Sequence, residues 1–383
     1  MRILVVGDSC GALEATRELA KAGWFVGIGS DSRSGWASSS RWASRWHHVQ
    51  PPLGDSKLFI KRINQIARQH SYGIVFGAGD AEVLALSACR EELTPLFPYT
   101  EHRFVLGVFD KLKLADLTRQ AGLRAPSIYP AEQDQLSRLD FPVVVKSRLH
   151  WNPGEENKNT RVKAKVVQGR AEAMQRAREM RAVGATPIFQ EFIPGHVETY
   201  VALTDRSSEI LSYHVQRTTH EQGSESGISA RALSVSGPAG FRRKVRGLLS
   251  DIQWFGLASI QFIRPENGEP VLIDFNGRMY GSLVFANACG MHAMENWVRL
   301  ALDQEPVPSS EILGLRYQAL EGDLRRAKKR AGNRRIREVI SCLTESTRTV
   351  HPILALSDPM PTVHYLKRLI RRQNGKRARE YER

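Results

Sequence analysis

The run Val271-Leu272-Ile273-Asp274-Phe275-Asn276-Gly277-Arg278, followed by Met279-Tyr280-Gly281-Ser282, concentrates the chemistry of this sequence. Its apolar start reads as a buried strand. Alternation along a strand points Asp274, Asn276 and Arg278 to one face. A carboxylate and an amide oxygen there suit Mg²⁺, a hard ion that takes oxygen ligands and shares its shell with phosphates. The guanidinium suits a phosphate or a developing oxyanion. The same residues also fit an edge strand with a solvated polar face. A further cation ends the run Phe141-Pro142-Val143-Val144-Val145-Lys146. A lysine after three valines calls for an anion in a cleft or for open water.

The elements that must hold these groups begin with a βαβ pattern. Ile3 to Val6 is an apolar strand, Ala12 to Ala22 a helix ended by Gly23, and Phe25 to Ile28 a second strand. Ile74 to Phe76 is another strand, followed by Gly77-Ala78-Gly79-Asp80 and a helix from Ala81, which predicts a parallel sheet. The first turn, Gly-Asp-Ser-Cys-Gly, lacks the three-glycine spacing of a dinucleotide site, although Asp31 follows the second strand. Trp36 to Trp46, rich in Ser, Arg and Trp, reads as a surface loop over the sheet edge, with base stacking as the alternative. His47-His48 reads as a surface pair.

Downstream, Asp110 to Ala121 is a helix carrying Lys111 and Lys113, and Arg148 to Lys165 a polar loop or hairpin. Ala171 to Val183 is a helix, and Pro187 to Gly195 a strand ending in a turn. Strands follow at Thr199 to Leu203, Ile210 to Gln216 and Ala230 to Ser234, with a helix over Gly240 to Gln253. Ala258 to Ile263 and Val271 to Phe275 form a hairpin. The fold class is therefore α/β plus α+β.

At 383 residues the chain predicts two or three domains. Its net charge of +15 is uneven. From Asp323 to Arg383 there are 17 Lys or Arg against 6 Asp or Glu, leaving the body at only +4. A nearly neutral body with a basic end fits an enzyme bearing an attachment segment better than a nucleic-acid binder. Arg325 to Arg337 reads as one basic helix. Val363, Leu366 and Ile370 fall at helical spacing beneath a basic face, which fits an anionic membrane surface or a solvated helix. No run of eighteen apolar residues and no signal-peptide pattern occurs, so a cytoplasmic protein is expected, peripheral at the inner membrane face if the tail attaches. Cys10, Cys89, Cys289 and Cys342 are far apart and fit reduced thiols. No Ser-His-Asp or Cys-His pairing supports nucleophilic catalysis.

Taken in order, Asp110-Lys111, Phe141 to Lys146, Gln190 to Gly195 with Glu198, Ile260-Gln261-Phe262 and Asp274 to Arg278 with Gly281-Ser282 resemble the ATP-grasp superfamily. The style is that of its carbamoyl-phosphate-synthase-like carboxylate–amine ligases, and the resemblance spans residues 1–305. It implies a pre-ATP-grasp domain at 1–105, an ATP-grasp domain at 106–310 with subdomains about 106–186 and 187–310, and a basic helical tail at 311–383. It further implies that Lys111 and Lys146 hold ATP phosphates and that Gln190, Glu191, Phe192 and Ile193 border adenine. Glu198 is implied to accept from ribose hydroxyls. Asp274, Asn276 and Gln261 are implied to ligate Mg²⁺ or Mn²⁺, and Arg278 to meet the transferred phosphoryl group. His214, Arg217 and Arg231 fall where the cleft would be, and Arg217 and Arg231 suit a carboxylate substrate.

The resemblance implies an amide-forming ligase that joins a small-molecule or peptide carboxylate to an amine through an acyl phosphate; homodimers are the commonest oligomers of such soluble chains. The sequence departs from the pattern in four places. Gln261 replaces the usual Glu, Asp274 stands where Glu is commoner, and Gly277 stands where proline is frequent. The loop at 148–165 offers Lys158, Arg161 and Lys163 instead of glycines. Gln261 motivates a second reading, a non-catalytic ATP-binding protein. The basic tail motivates a third, a protein that works through membrane or polyanion contact.

Overall fold

The computed structural model describes residues 1–52, 56–151, 162–222, 228–237, 240–329 and 332–367. Three sheets organise them. The first is parallel, in the order β3-β2-β1-β4, with β1 (Arg2–Val6), β2 (Phe25–Ser30), β3 (Arg45–His48) and β4 (Tyr72–Gly77). Helices α1 (Cys10–Lys21), α2 (Ser56–His70), α3 (Asp80–Ala88) and α4 (His102–Phe109) connect and follow these strands. Ile3, Leu4, Val5 and Val6 are all buried, as a parallel strand covered on both faces requires. Helix α1 starts where the Ser9 hydroxyl accepts from the Ala12 N–H at 3.1 Å, and it stops before Gly23 at a φ of 88°. The strand order turns at the carboxyl ends of β1 and β4, which presents Gly7 and Asp80 to the rest of the molecule.

One expectation fails here. The end of the stretch read as a loop is the edge strand β3, so His47 is not a surface residue. It is buried, with Nε2 2.8 Å from the Tyr72 hydroxyl, and burial and then the charge on His70 lower its pKa to about 4.

The second sheet has the order β5-β8-β6-β7, from β5 (Ile128–Pro130), β6 (Val143–Ser147), β7 (Lys165–Val167) and β8 (Pro187–Glu191). Helix α5 (Lys111–Gln120) precedes it, and α6 (Arg170–Ala182) packs on one face. Val143, Val145, Val167 and Phe189 form a separate core with Ala173, Ala177 and Met180 of α6. Alternation leaves Val144, Lys146, Ile188 and Gln190 on the opposite face, in register as Val144↔Gln190 and Lys146↔Ile188.

The third sheet is antiparallel, in the order β13-β12-β9-β10-β11-β14. Its strands are β9 (His196–Thr204), β10 (Ile210–Glu221), β11 (Ser229–Ser234), β12 (Gly256–Arg264), β13 (Val271–Asn276) and β14 (Arg316–Gln318). Helix α7 (Phe241–Asp251) covers one face, with Phe241 edge-on to Tyr200 and Phe262. Helices α8 (Leu283–Ala288) and α9 (Ala293–Ala301) lie toward α1. Glu18 of α1 caps α9 from outside: Oε1 accepts the Met294 and Glu295 N–H groups at 2.9 and 3.0 Å, and Asn287 donates to Oε2 at 2.6 Å.

The stretch 311–383 is more than the basic helical tail anticipated. It begins with β14, which completes the third sheet, and the helix read over 325–337 divides into α10 (Leu320–Lys328) and α11 (Gly332–Ser346). Residues 359–367 are also helical. Asp358, fully buried, accepts from Arg17 Nε at 2.9 Å, the Ser40 hydroxyl at 2.6 Å and the Arg41 N–H at 3.0 Å. This end of the chain is thereby fastened to the first sheet's layer. Ile370 and the basic residues after Lys367 lie outside the described residues. No described helix is long and apolar enough to cross a membrane. All four cysteines are free thiols.

Candidate active site

Helix α5 begins at Lys111 because Asp110 caps it, accepting from the Leu112 N–H at 3.1 Å. The same carboxylate receives Arg148 in a fork, with Nε 2.9 Å from both oxygens and Nη2 2.6 Å from one. The Lys111 N–H in turn donates to the Arg148 carbonyl at 3.2 Å. Arg148 lies two residues beyond Lys146, so this clamp delivers both lysines to one cleft.

There they meet β13. Lys111 Nζ is 3.1 Å from Asp274 Oδ1, and Lys146 Nζ donates to the Ile273 carbonyl at 3.0 Å. Ile273 has no partner in the ladder, because Gln261 pairs with Asp274 while Phe262 pairs with Leu272. Two nearly buried cations thus share one carboxylate. Burial, and then the charge of Lys111, lower the Lys146 ammonium to about 7 against the pull of Asp274. Burial alone would raise Asp274, yet Lys111 and Lys146 hold its carboxyl below the usual range.

Arg278 stands beside them. Its Nη2 donates to Asn276 Oδ1 at 2.9 Å and its Nη1 to the Met279 carbonyl at 3.0 Å, and its Nε pairs with Asp80. The other Asp80 oxygen lies 2.7 Å from His150 Nδ1. Burial would raise Asp80, but Arg278 and His150 hold it well below the carboxylate range. Asp80 and His150 complete a site that sequence reasoning did not find. Asp80 had a signal, an acid opening a helix at the end of a parallel strand; His150 had none.

The oxygens of Asp274, Asn276 and Gln261 fit Mg²⁺ in kind. Gln261 faces Asp274 across β12 and β13, and Ser259, its neighbour on that face, faces Asn276. Only one of these ligands is a carboxylate, and among the described residues no group of three His, Cys, Asp or Glu side chains forms a metal site. Oxygens from outside the protein would therefore supply much of any metal's shell. Gly277 has a steric explanation: a Cβ there would sit 2.3 Å from the Trp254 ring.

The other expected residues divide. Gln190 is buried on the cleft face of the second sheet, and its Oε1 has no hydrogen-bond partner among the described residues. The Glu191 carboxylate accepts the Ser127 N–H at 2.9 Å, which steadies the entry to β5. Phe192 is exposed and Ile193 half-buried in the linker between the second and third sheets. Glu198 does not join Asp274. Thr199 pairs with Gln261, whereas Glu198 pairs with Phe262, so alternation puts Glu198 on the α7 face. There it accepts Arg264 Nε at 2.6 Å and Arg217 Nε at 3.0 Å. Burial would raise its carboxyl, but these hydrogen bonds hold it low.

Arg217, cross-strand from Glu198, shares that face. Arg231 is bound instead by the end of the chain: its Nε pairs with buried Asp323, and its guanidinium also reaches Ser341 and Cys342. Neither arginine is brought to the Lys111–Asp274 cleft. On the Asp274 side, β10 carries Gln216 in register with Thr199, and His214 in register with Val201. Gln216 Oε1 and His214 Nε2 are buried with no partner among the described residues, and burial lowers His214 to about 4. Of the loop cations, Lys163 is exposed, and Lys158 and Arg161 lie outside the described residues.

No family model matches the sequence, and no curated protein matches it. Solved structures do. An L-amino acid ligase from Bacillus licheniformis superposes with a TM-score of 0.63 at 15% identity, over 80% of this chain and 74% of that one. An N5-carboxyaminoimidazole ribonucleotide synthetase from Thermus thermophilus gives 0.64 at 14% identity, over 91% of this chain and 98% of that one. The biotin carboxylase domain of a 2-oxoglutarate carboxylase from Hydrogenobacter thermophilus, a dimer solved with MgADP and bicarbonate, gives 0.63 at 13% identity, over 82% of this chain and 73% of that one.

Proposed function

We propose that this chain, whose fold is that of the ATP-grasp superfamily, is an ATP- and Mg²⁺-dependent carbon–nitrogen ligase that releases ADP. The observation that carries the reading is the convergence of Lys111, Lys146 and Arg278 on Asp274 between the second and third sheets. Phosphoryl transfer needs positioning and charge neutralisation more than covalent help from the protein, and this cleft offers both.

In the proposed reaction a substrate carboxylate oxygen attacks the γ-phosphorus of ATP, and ADP leaves. The acyl phosphate then loses inorganic phosphate to an attacking amine, whose surplus proton departs as the amide forms. Lys111 and Lys146 neutralise the phosphates, and Arg278 meets the charge that grows on the transferred group. Asp274, Asn276 and Gln261 are the residues that hold Mg²⁺, which when bound neutralises phosphate charge. Gln190, Phe192 and Ile193 border the base. Gln216 and His214, whose buried polar atoms lack partners among the described residues, are assigned to the substrate in place of Arg217 and Arg231.

The test is ADP release from Mg·ATP with pooled carboxylates and hydroxylamine as trap. A hydroxamate that depends on one carboxylate supports the ligase and identifies that substrate. Saturable ATP binding without turnover, for every carboxylate offered, favours the non-catalytic reading that Gln261 motivates. Absence of ATP binding overturns both.

A further inference from the structure

Helix α11 is mounted the opposite way round from an ordinary surface helix. Its polar side chains face the body: Glu338 takes Arg326 Nη2 at 2.7 Å, Glu345 takes Arg316 at 2.9 Å, and Ser341 and Cys342 meet Arg231. Three of its apolar side chains face out. Ile336, Ile340 and Leu343, spaced i, i+4 and i+7, form one stripe and are each more than half exposed, at 62%, 55% and 53%. A surface helix ordinarily buries that stripe.

The stripe is not isolated. Of sixteen large apolar side chains exposed across the described residues, seven lie between 336 and 366. The others in this stretch are Leu356, Met360, Val363 and Leu366, the last three at i, i+3 and i+6 of the closing helix. An exposed apolar stripe of this kind marks a surface that meets something.

Charge selects the occupant. Arg334, Arg335 and Arg337 are exposed and make no ion pair among the described residues. Rotation of 100° per residue sets Arg335 and Arg337 on the two flanks of the stripe. Lys328 and Lys329 are exposed just before the helix. An apolar strip edged by arginines matches a bilayer surface, where acyl chains take the strip and anionic headgroups take the edges. Nucleic acid would satisfy the arginines but leave three aliphatic side chains in water.

We propose that α11 docks this protein onto anionic lipid membranes, with Ile336, Ile340 and Leu343 inserted at the headgroup–acyl boundary and Arg335 and Arg337 on the headgroups. The ligase reading is not needed for this inference.

Flotation of the full chain with vesicles tests it. Vesicles of equal phosphatidylglycerol and phosphatidylcholine should carry the protein, and phosphatidylcholine alone should not. Ile336→Ser with Ile340→Ser and Leu343→Ser should lower the bound fraction at least ~tenfold, and Arg335→Gln with Arg337→Gln should remove its salt dependence together with most of the binding. Both variants change outward side chains, and circular dichroism with the thermal midpoint checks that each is folded. Equal binding of wild type and variants, or no binding to the anionic vesicles, overturns the proposal. So does a serine variant that turns a dimer into a monomer without vesicle binding in the wild type, which would identify the stripe as a contact between copies. Salt-sensitive binding to duplex DNA with no vesicle binding would overturn it equally.

Discussion

Two buried groups of charges in this molecule look alike and behave differently. Arg231 and Arg326 with Asp323 and Glu338, and Arg17 with Asp358, are matched: the charges balance, and further donors come from Gln318 at 2.7 Å for Asp323 and from Ser40 and Arg41 for Asp358. In the cleft, Lys111 and Lys146 compete for Asp274, and Lys146 falls to about 7. The first kind of cluster is complete without help. The second carries cation in excess, which costs stability until an anion arrives. Matched pairs hold the chain's end to its body; the unmatched pair is where a bound anion would restore balance.

The largest test removes a matched partner. Asp323→Ala takes from Arg231 and Arg326 the buried carboxylate they share and should cost about 3–5 kcal/mol in urea unfolding, with ATP affinity unchanged at temperatures where the variant is folded. An unchanged midpoint would show that the pair contributes nothing. Next, Lys146→Met should slow ADP formation about 10²–10³-fold while leaving the thermal midpoint equal or higher, because it deletes a cation that burial disfavours. A large loss of stability would place Lys146 with the matched clusters instead.

Proton counting sharpens the contrast further. Lys146 is depressed from 10.5 to about 7, so its penalty is full below pH 7 and relieved as pH rises toward 10.5. Bound phosphates should pull the proton back on. At pH 8, nucleotide binding should take up about one proton per site, read by calorimetry in buffers of different ionisation enthalpy, and Lys146→Met should abolish the uptake. The smallest effect belongs to Glu18, which burial raises from 4.5 to about 7. Folding favours its protonated form, so stability should fall as pH rises from 4.5 through about 7 and then level off. Glu18→Gln should flatten that part of the urea profile; an unchanged slope would exclude Glu18 as its source.

Much of the cleft was legible because its residues are local. Asp274, Asn276 and Arg278 declare themselves by alternation, and Lys146 by its place after three valines. The face that Glu198 takes was not legible. The chain re-enters the sheet after Gly195, and a shift of one in a strand moves every side chain to the other face. Asp80 and Arg278 are 198 residues apart, so only the fold unites them. The same holds for Arg231 and Asp323: from sequence, an arginine on a central strand reads as substrate-facing, and nothing local says that a later helix supplies its acid. Strand β14 was invisible because three residues at a sheet edge carry no period.

The bond from Glu18 to α9 has a kinetic consequence. The Met294 and Glu295 amides are first-turn donors, which in most helices exchange with solvent quickly because no preceding carbonyl shelters them. Here each is closed by a carboxylate some 276 residues earlier in the chain. Their deuterium uptake is then governed by how often α1 and α9 part, so two amides late in the sequence become a clock for opening of the molecule's first layer.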